Sequence, residues 1–375
     1  MVFENICRIP GKSGAFEVLF KNGRIEHLIP SQNKDQDVET LMLTPGLFDI
    51  QLNGMLGYDL SSEGLTVDQV IEINSTLERR GILRWCPTIC SQTSEIVEQN
   101  LSIIREAIDG GLAANIHCIH LEGHYISSEE GYRGVHLPKF IRDPDPKEFD
   151  RWQKTAGGHI GLFSLAPERK GALEFIQKLK MAGVKVGLVH HHSDHQTIQA
   201  AAAAGADLSS HLINGCVTVI HRQHNIIWSQ LSLDQLWASF IADGYHIPPY
   251  TLKAVIRARG IDRSILISDL SHLSGLPDGE YESNEMTVVL KNGGLWVKEK
   301  GTNLLSGAAR TLEQDVEYLA VHTGFSIENS LLMASINPAR YFGIEAEMDI
   351  YTGRKGPLAV FSWARNRLTV KEILL

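Results

Sequence analysis

Apolar and polar residues alternate along this chain with two different periods, and the two periods take turns. Segments 67–80, 93–109, 146–155, 171–182, 194–204, 248–259, 309–323 and 326–335 repeat apolar positions every three to four residues, which predicts amphipathic helices. Short apolar runs lie between them at 47–52, 116–121, 160–165, 184–190, 239–242 and 264–268, as buried strands do. Strands alternating with helices predict βαβ units and a parallel sheet. Roughly 300 residues of this alternation, with first and last elements free to close, favour an α/β fold of the (β/α)8 TIM-barrel kind over an open doubly wound sheet. No G-x-G-x-x-G opens any of the helices, which points the same way. Not all eight strands are placed by the pattern. The alanine run 200–204 reads as helix, with Gly205 as its stop.

The two chain ends follow the other period. Phe16-Glu17-Val18-Leu19-Phe20, the turn Lys21-Asn22-Gly23-Arg24 and the run 25–29 read as a hairpin, with Asn22-Gly23 as the turn signal. A polar linker at 31–39 leads to a further apolar run at 41–46. Residues 356–375 are strand-like again. The two ends are therefore expected to pair into one small β-sandwich domain, 1–45 plus 350–375, around a barrel at 46–349.

Charge and composition narrow the function classes. A net charge of -9 argues against a nucleic-acid surface, although one or two local Arg or His residues can still hold an anionic small molecule. Cys7, Cys86, Cys90, Cys118 and Cys216 are odd in number, scattered and mostly set in apolar runs, so they read as reduced, buried thiols. The Cys86-x3-Cys90 spacing lacks a second Cys/His pair nearby and is poor evidence for zinc. With no signal-like N-terminus and no run near the roughly 20 apolar residues of a membrane span, a cytoplasmic protein without a membrane partner is the expectation.

Candidate chemistry collects where apolar runs stop, which is where a barrel enzyme keeps its active site. The first run ends in Gln51-Leu52-Asn53, whose alternation puts Gln51 and Asn53 on one face. The second ends in His120-Leu121-Glu122-Gly123-His124. A third ends in His190-His191-His192, of which one imidazole is expected to face the barrel mouth. His211 and Asp269 have the same address on later runs. A Glu, two His and a separate Asp on different strand ends suit a catalytic metal site with one open position. The Asp would take a proton from water and return it to a leaving nitrogen.

These segments resemble the N-acetylglucosamine-6-phosphate deacetylases of the amidohydrolase superfamily. The likeness rests on 45–54, His120-Leu121-Glu122-Gly123, Leu165-Ala166-Pro167-Glu168, His192-Ser193, Ser210-His211-Leu212-Ile213-Asn214, Ala242-Asp243-Gly244-Tyr245-His246 and Ser268-Asp269, with Leu305-Ser306-Gly307 and Asn337-Pro338-Ala339-Arg340 also fitting. It spans nearly the whole chain. The resemblance implies one divalent metal, zinc or iron, on Glu122, His192 and His211, with Gln51 touching it through water and Asp269 as general acid/base. It implies substrate contacts at Val135, His136, Asn214, Gly215, His246, Leu305, Ser306 and Gly307. It also implies a homodimer in which Arg222 reaches the sugar phosphate across the interface. The substrate so implied is an N-acetyl amino sugar 6-phosphate, cleaved to the free amine and acetate.

The chain departs from the family pattern at His124, at His190, His191 and His195, at Gly215-Cys216-Val217 and at Gln223-His224-Asn225-Ile226. These departures lie around the substrate contacts, with His124 beside the metal set, so they bear on the substrate more than on the reaction. Two other readings follow: an amidohydrolase of the same fold acting on an unphosphorylated N-acyl sugar or another amide, and a non-catalytic sugar-phosphate binding protein. His120 reads as a structural histidine, and Trp228 and Trp237 read as core.

Overall fold

A computed structural model describes residues 1–32 and 39–375, so most of the expected 31–39 linker lies outside the described residues. Eight parallel strands form one sheet: β1 (Leu47–Leu52), β2 (Ile82–Ile89), β3 (Ile119–Glu122), β4 (Ile160–Leu165), β5 (Lys185–Leu188), β6 (Leu208–Ser209), β7 (Trp237–Ile241) and β8 (Ser264–Ile267). The sheet closes into a barrel where Asp269 N donates to Gln51 O (3.0 Å) and Asn53 N donates to Leu270 O (2.9 Å). Helices Val67–Arg79, Ser94–Asp109, Pro146–Thr155, Ala172–Met181, His195–Ala204, Pro249–Arg259, Leu312–Thr323 and Ile327–Ala334 match the amphipathic segments to within a few residues. Their starts follow local chemistry: Thr66, Thr93, Asp145 and Asp194 each accept a backbone N–H at a helix N-terminus.

Two barrel strands lie outside the six predicted runs. The β2 strand is interrupted by Arg84 and Pro87, which break its apolar reading, and β6 is only two residues long. At the barrel's lower end Phe48, Cys86, Cys118, Leu162, Leu208, Ile265 and Ile267 pack with Tyr341, Phe342 and Met348, so the C-terminal helix Ile336–Phe342 plugs the floor. Cys86 Sγ faces Cys118 Sγ at 3.5 Å there, whereas Cys90 lines a cavity at the other end of the strand. The C-x3-C spacing therefore holds no common ligand.

The chain ends form a six-stranded sheet of Val2–Arg8, Ala15–Lys21, Arg24–Pro30, Thr40–Thr44, Leu358–Ala364 and Arg367–Leu374. Asn22 (φ 54°) and Gly23 (φ 73°) make the expected tight turn. Phe3, Cys7, Val18, Phe20, Ile25, Leu43, Leu358, Val360 and Leu374, drawn from all six strands, share one core, so the sheet folds over on itself as a sandwich. A further antiparallel sheet of Gly279–Ser283, Met286–Lys291 and Gly294–Val297 sits between β8 and the next helix, and the sequence pattern did not predict it.

Candidate metal and substrate site

The mouth of the barrel opens into a cavity of about 320 Å³. Glu122 is the last residue of β3. His190, His211 and Asp269 each come two residues after the end of β5, β6 and β8. All three have left-handed backbones, with φ of 47°, 31° and 48°. Such conformations cost roughly 1–3 kcal/mol each in a non-glycine residue and persist only where the surroundings impose them. The repeated turn points three side chains at Glu122.

The resulting cluster is tightly bonded. His211 Nε2 lies 3.0 Å from Glu122 Oε1, and His190 Nε2 lies 3.8 Å from the same oxygen. Gln51 Nε2 donates to Glu122 Oε2 (2.8 Å) and to Asp269 Oδ1 (3.1 Å), while Asn53 Nδ2 donates to that Asp269 oxygen at 2.8 Å. Gln51 and Asn53 thus do share a direction, and both amides serve as donors to the acids. Two glycines let imidazoles come this close: a Cβ on Gly123 (φ 93°) would meet the His136 ring at 2.3 Å, and one on Gly215 (φ 65°) would meet His190 Nδ1 at 2.6 Å.

Protonation follows from burial and neighbours. Burial pushes the Glu122 carboxyl up, but the hydrogen bond and charge of His211, with smaller contributions from the His190 and His120 rings, outweigh it and hold Glu122 below its usual range. His211 is raised, because Glu122's bond and charge overcome its burial. His190 is pushed well below its ordinary value by burial and by His136 and His211. It is therefore a neutral imidazole. Its Nδ1 lies 2.7 Å from the Tyr132 carbonyl, which fixes the proton there and leaves the Nε2 lone pair facing Glu122. Asp269 is pushed up to about 6, first by burial and then by Glu122.

A carboxylate beside a neutral His190 and a His211 that would give up its proton on binding is a donor set suited to a divalent cation. Atoms of Glu122, His136 and His190 lie within 4.8 Å of one another, and His211 Nδ1 is buried without a hydrogen-bond partner. The residues present therefore fit a metal ion.

One expected ligand is not brought to this cluster. The left-handed turn at His190 directs the chain away from the mouth, and His192 lands on the exposed side. There its ring bonds Ser127 Oγ (3.0 Å) and pairs with Glu168 (3.0 Å) and Glu129 (3.5 Å). His190 stands where His192 was expected. His192-Ser193 sits at the approach to the following helix, capped by Asp194, whereas His190 is the residue of the triplet nearest the strand end.

The other expected residues divide cleanly. Val135, His136, Asn214, Gly215, His246, Leu305, Ser306 and Gly307 all line the cavity. His136 Nδ1 lies 2.8 Å from Ser91 Oγ, and His246 Nδ1 lies 2.7 Å from Asp243 Oδ2. Arg222 does not line it: the residue lies in an exposed segment of the same chain. His120 is buried between Thr88 Oγ1 (3.2 Å) and Ser164 Oγ (2.8 Å), a structural place as expected. His124 is buried with its ring 4.9 Å from Trp152 and lies outside the cavity. It is a wall residue, which removes the reason to see it as a substrate contact. Trp228 is 51% exposed, contrary to its core reading.

Residues missed by the sequence complete the walls. Cys90, Asp59, His272 and Tyr245 line the cavity, as do Ser283 and Asn284 from the unpredicted sheet. Asp59 and His272 pair at 3.9 Å. A histidine three residues after Asp269 was the one available signal.

No family model matches the chain. An N-acetylglucosamine-6-phosphate deacetylase of Bos taurus is 31% identical over 324 residues, covering 84% of this chain and 77% of that protein. The Danio rerio enzyme of the same name is 29% identical over 350 residues, covering 90% and 83%. An N-acetylgalactosamine-6-phosphate deacetylase of Escherichia coli O157:H7 is 28% identical over 318 residues, covering 84% and 82%. Among solved structures, N-acetyl-D-glucosamine-6-phosphate deacetylase from Mycobacterium smegmatis has the same fold, with a TM-score of 0.86 at 24% identity over 100% of this chain and 98% of that one. With a strand-end acid and histidine cluster in this barrel and that degree of identity over most of its length, the chain belongs to the N-acetylglucosamine-6-phosphate deacetylase family.

Proposed function

We propose that this protein is a metal-dependent hydrolase that removes acetate from an N-acetyl amino sugar 6-phosphate, N-acetylglucosamine 6-phosphate first, leaving glucosamine 6-phosphate. The observation that carries the reading is the convergence of Glu122, His190 and His211 on one point, with Asp269 bonded to the same Gln51 amide. These three would hold one divalent ion, zinc or iron, with Gln51 behind them. Such an ion supplies Lewis-acid chemistry, polarising an acyl oxygen and making water more acidic.

The chain's own groups account for the proton movements. Asp269 Oδ1 is occupied by the Gln51 and Asn53 amides, so Oδ2 is the oxygen left to take a proton from attacking water and pass it to the departing amine. A carboxyl raised to about 6 is well suited to exchanging that proton near neutrality. His246, held by Asp243, and His136, held by Ser91, flank the bound amide and sugar. Leu305, Ser306, Gly307, Val135, Asn214 and Gly215 line the same cavity.

Phosphate recognition belongs to a second copy of the chain. No Lys or Arg is found among the described residues that line the cavity, while Arg222 is exposed on the outer face near Trp228. A homodimer that presents Arg222 to its partner's cavity supplies the missing cation as a bidentate fork. The same observation favours a second reading, hydrolysis of an unphosphorylated N-acyl sugar, if the cavity works without that cation. Among the described residues no helix is long and apolar enough to cross a membrane, and a cytoplasmic location accords with a sugar-phosphate substrate. The end sheet (1–45 and 350–375) is proposed as a unit distinct from the barrel (46–349).

The test is acetate release from N-acetylglucosamine and N-acetylgalactosamine, each with and without a 6-phosphate, using protein loaded with zinc or iron. Turnover confined to a phosphorylated sugar supports the first reading, and equal turnover of the free sugars supports the second. Binding without turnover under every metal condition contradicts both.

A further inference from the structure

Arg310 lies outside the cavity, yet it joins three of the segments that build its wall. Its guanidinium sits over the Tyr245 ring at 5.2 Å and over the Tyr318 ring at 5.7 Å. Among the described residues no carboxylate forms a close ion pair with it, although its charge acts on the buried Asp315, and two ring faces cover the guanidinium. Its Nε also passes over the turn at Gly293, where an added Cβ would come within 3.4 Å.

Each contact leads to a wall of the cavity. Tyr245 precedes His246, its ring meets Trp296 edge-on at 5.3 Å, and its hydroxyl donates to Asn292 O at 2.6 Å. Gly244 lies so close on Tyr318 that a Cβ would meet that ring at 2.5 Å. The strand carrying Trp296 binds the 304–306 edge of the cavity through the backbone: Val297 N donates to Leu304 O (3.0 Å) and Ser306 N donates to Leu295 O (3.2 Å). Arg310 itself continues that edge, whose Ala308 N donates to Asp269 O at 3.0 Å.

We propose that Arg310, with Tyr245, Tyr318 and Trp296, forms a clasp that fixes the 243–246 loop against the 304–307 edge and so sets the width of the substrate cavity. Arg310 is a positioning residue, acting through Tyr245 on His246 and through its own segment on Leu305 to Gly307. The clasp rests on the proposed substrate roles of those residues. The elements that hold Glu122, His190 and His211 are separate from it, so the clasp acts on substrate binding and leaves metal loading alone.

The test uses full-length Arg310→Ala, Arg310→Lys and Tyr318→Leu, the last removing one ring from the guanidinium should the alanine variant fold poorly. Backbone hydrogen exchange is followed at 243–247 and 304–307 together with metal content and steady-state kinetics. Arg310→Ala is expected to speed exchange in both segments together, keep its metal, and raise KM about 3- to 10-fold with kcat within about twofold. Arg310→Lys should recover much of the protection, because an ammonium still meets the rings. Exchange unchanged in either segment, or a lysine variant as exposed as alanine, overturns the clasp. If the unaltered protein releases no acetate, the deacetylase reading fails, and hydrogen exchange still decides the clasp.

Discussion

The floor and the rim of the cavity are built on different terms. On the floor, Glu122, His190, His211 and Asp269 stand at strand ends, their backbones fixed by the closed barrel and three of them held in left-handed turns. Every acid there has an amide or imidazole partner within 3.1 Å. The rim is made from connections: the loops at 213–216 and 243–246, the 279–297 sheet and the 304–307 edge. It brings polar and aromatic side chains but, among the described residues, no cationic Lys or Arg into the cavity. The difference separates reaction from substrate. A rigid barrel can commit to one chemistry, while its loops decide what that chemistry acts on.

Three substitutions strain this comparison, in descending order of effect. Asp269→Asn keeps the shape of the floor and removes its proposed proton carrier, so kcat should fall by at least about 100-fold with metal content unchanged. Steady-state acetate release beside elemental analysis checks it, and near-normal turnover would mean that another group moves the proton. Arg222→Ala leaves the floor and rim of its own cavity intact and removes only the cation proposed to reach a partner's cavity. KM for the phosphorylated sugar should rise about 10- to 100-fold, the loss expected for a charge-assisted bond, while the unphosphorylated sugar is unaffected. Equal effects on both sugars would remove Arg222 from phosphate recognition.

The smallest effect is expected behind the rim. Asp315 is fully buried, neither of its carboxylate oxygens has a hydrogen-bond partner, and burial together with the charges of Asp243 and Asp49 raises it well above the ordinary Asp value. The folded state therefore holds this proton more tightly than the unfolded chain, whose Asp titrates near about 3.9. From that pH upward, until the folded group itself ionises, each rise in pH weakens the fold. Asp315→Asn, neutral and of the same shape, should flatten this slope and raise the unfolding midpoint at pH 8 by about 2–4 °C. Thermal unfolding at pH 5 and pH 8 reads it directly, and a variant as pH-sensitive as the parent would show that Asp315 is already ionised.

What the sequence disclosed follows from the same division. Long periodic segments are read correctly because burial of one face dictates both their pattern and their fold, as with Ser94–Asp109 and its buried Val97, Leu101 and Ile104. The strand ends carrying Glu122 and Asp269 are legible because there a polar residue follows an aliphatic run. The β2 strand is not legible, since Arg84 and Pro87 break its pattern, and β6 is too short to have one. Asn292-Gly293, with φ of 52° and 84°, turns the unpredicted sheet just as Asn22-Gly23 turns the first hairpin, so the same turn signal stands in the sequence there. The choice among His190, His191 and His192 was not in the pattern at all. It depends on a left-handed residue at the strand end, and three successive histidines offer no periodicity to reveal where the chain turns.

That choice is also where the account is most exposed. Metal content per chain, measured on purified His190→Ala and His192→Ala loaded side by side with zinc, tests it directly. His192→Ala should retain about one ion per chain and His190→Ala should retain almost none, since the proposed three-ligand site loses a donor only in the second case. A metal-free His192→Ala beside a loaded His190→Ala would contradict the arrangement of the floor on which the proposed chemistry stands.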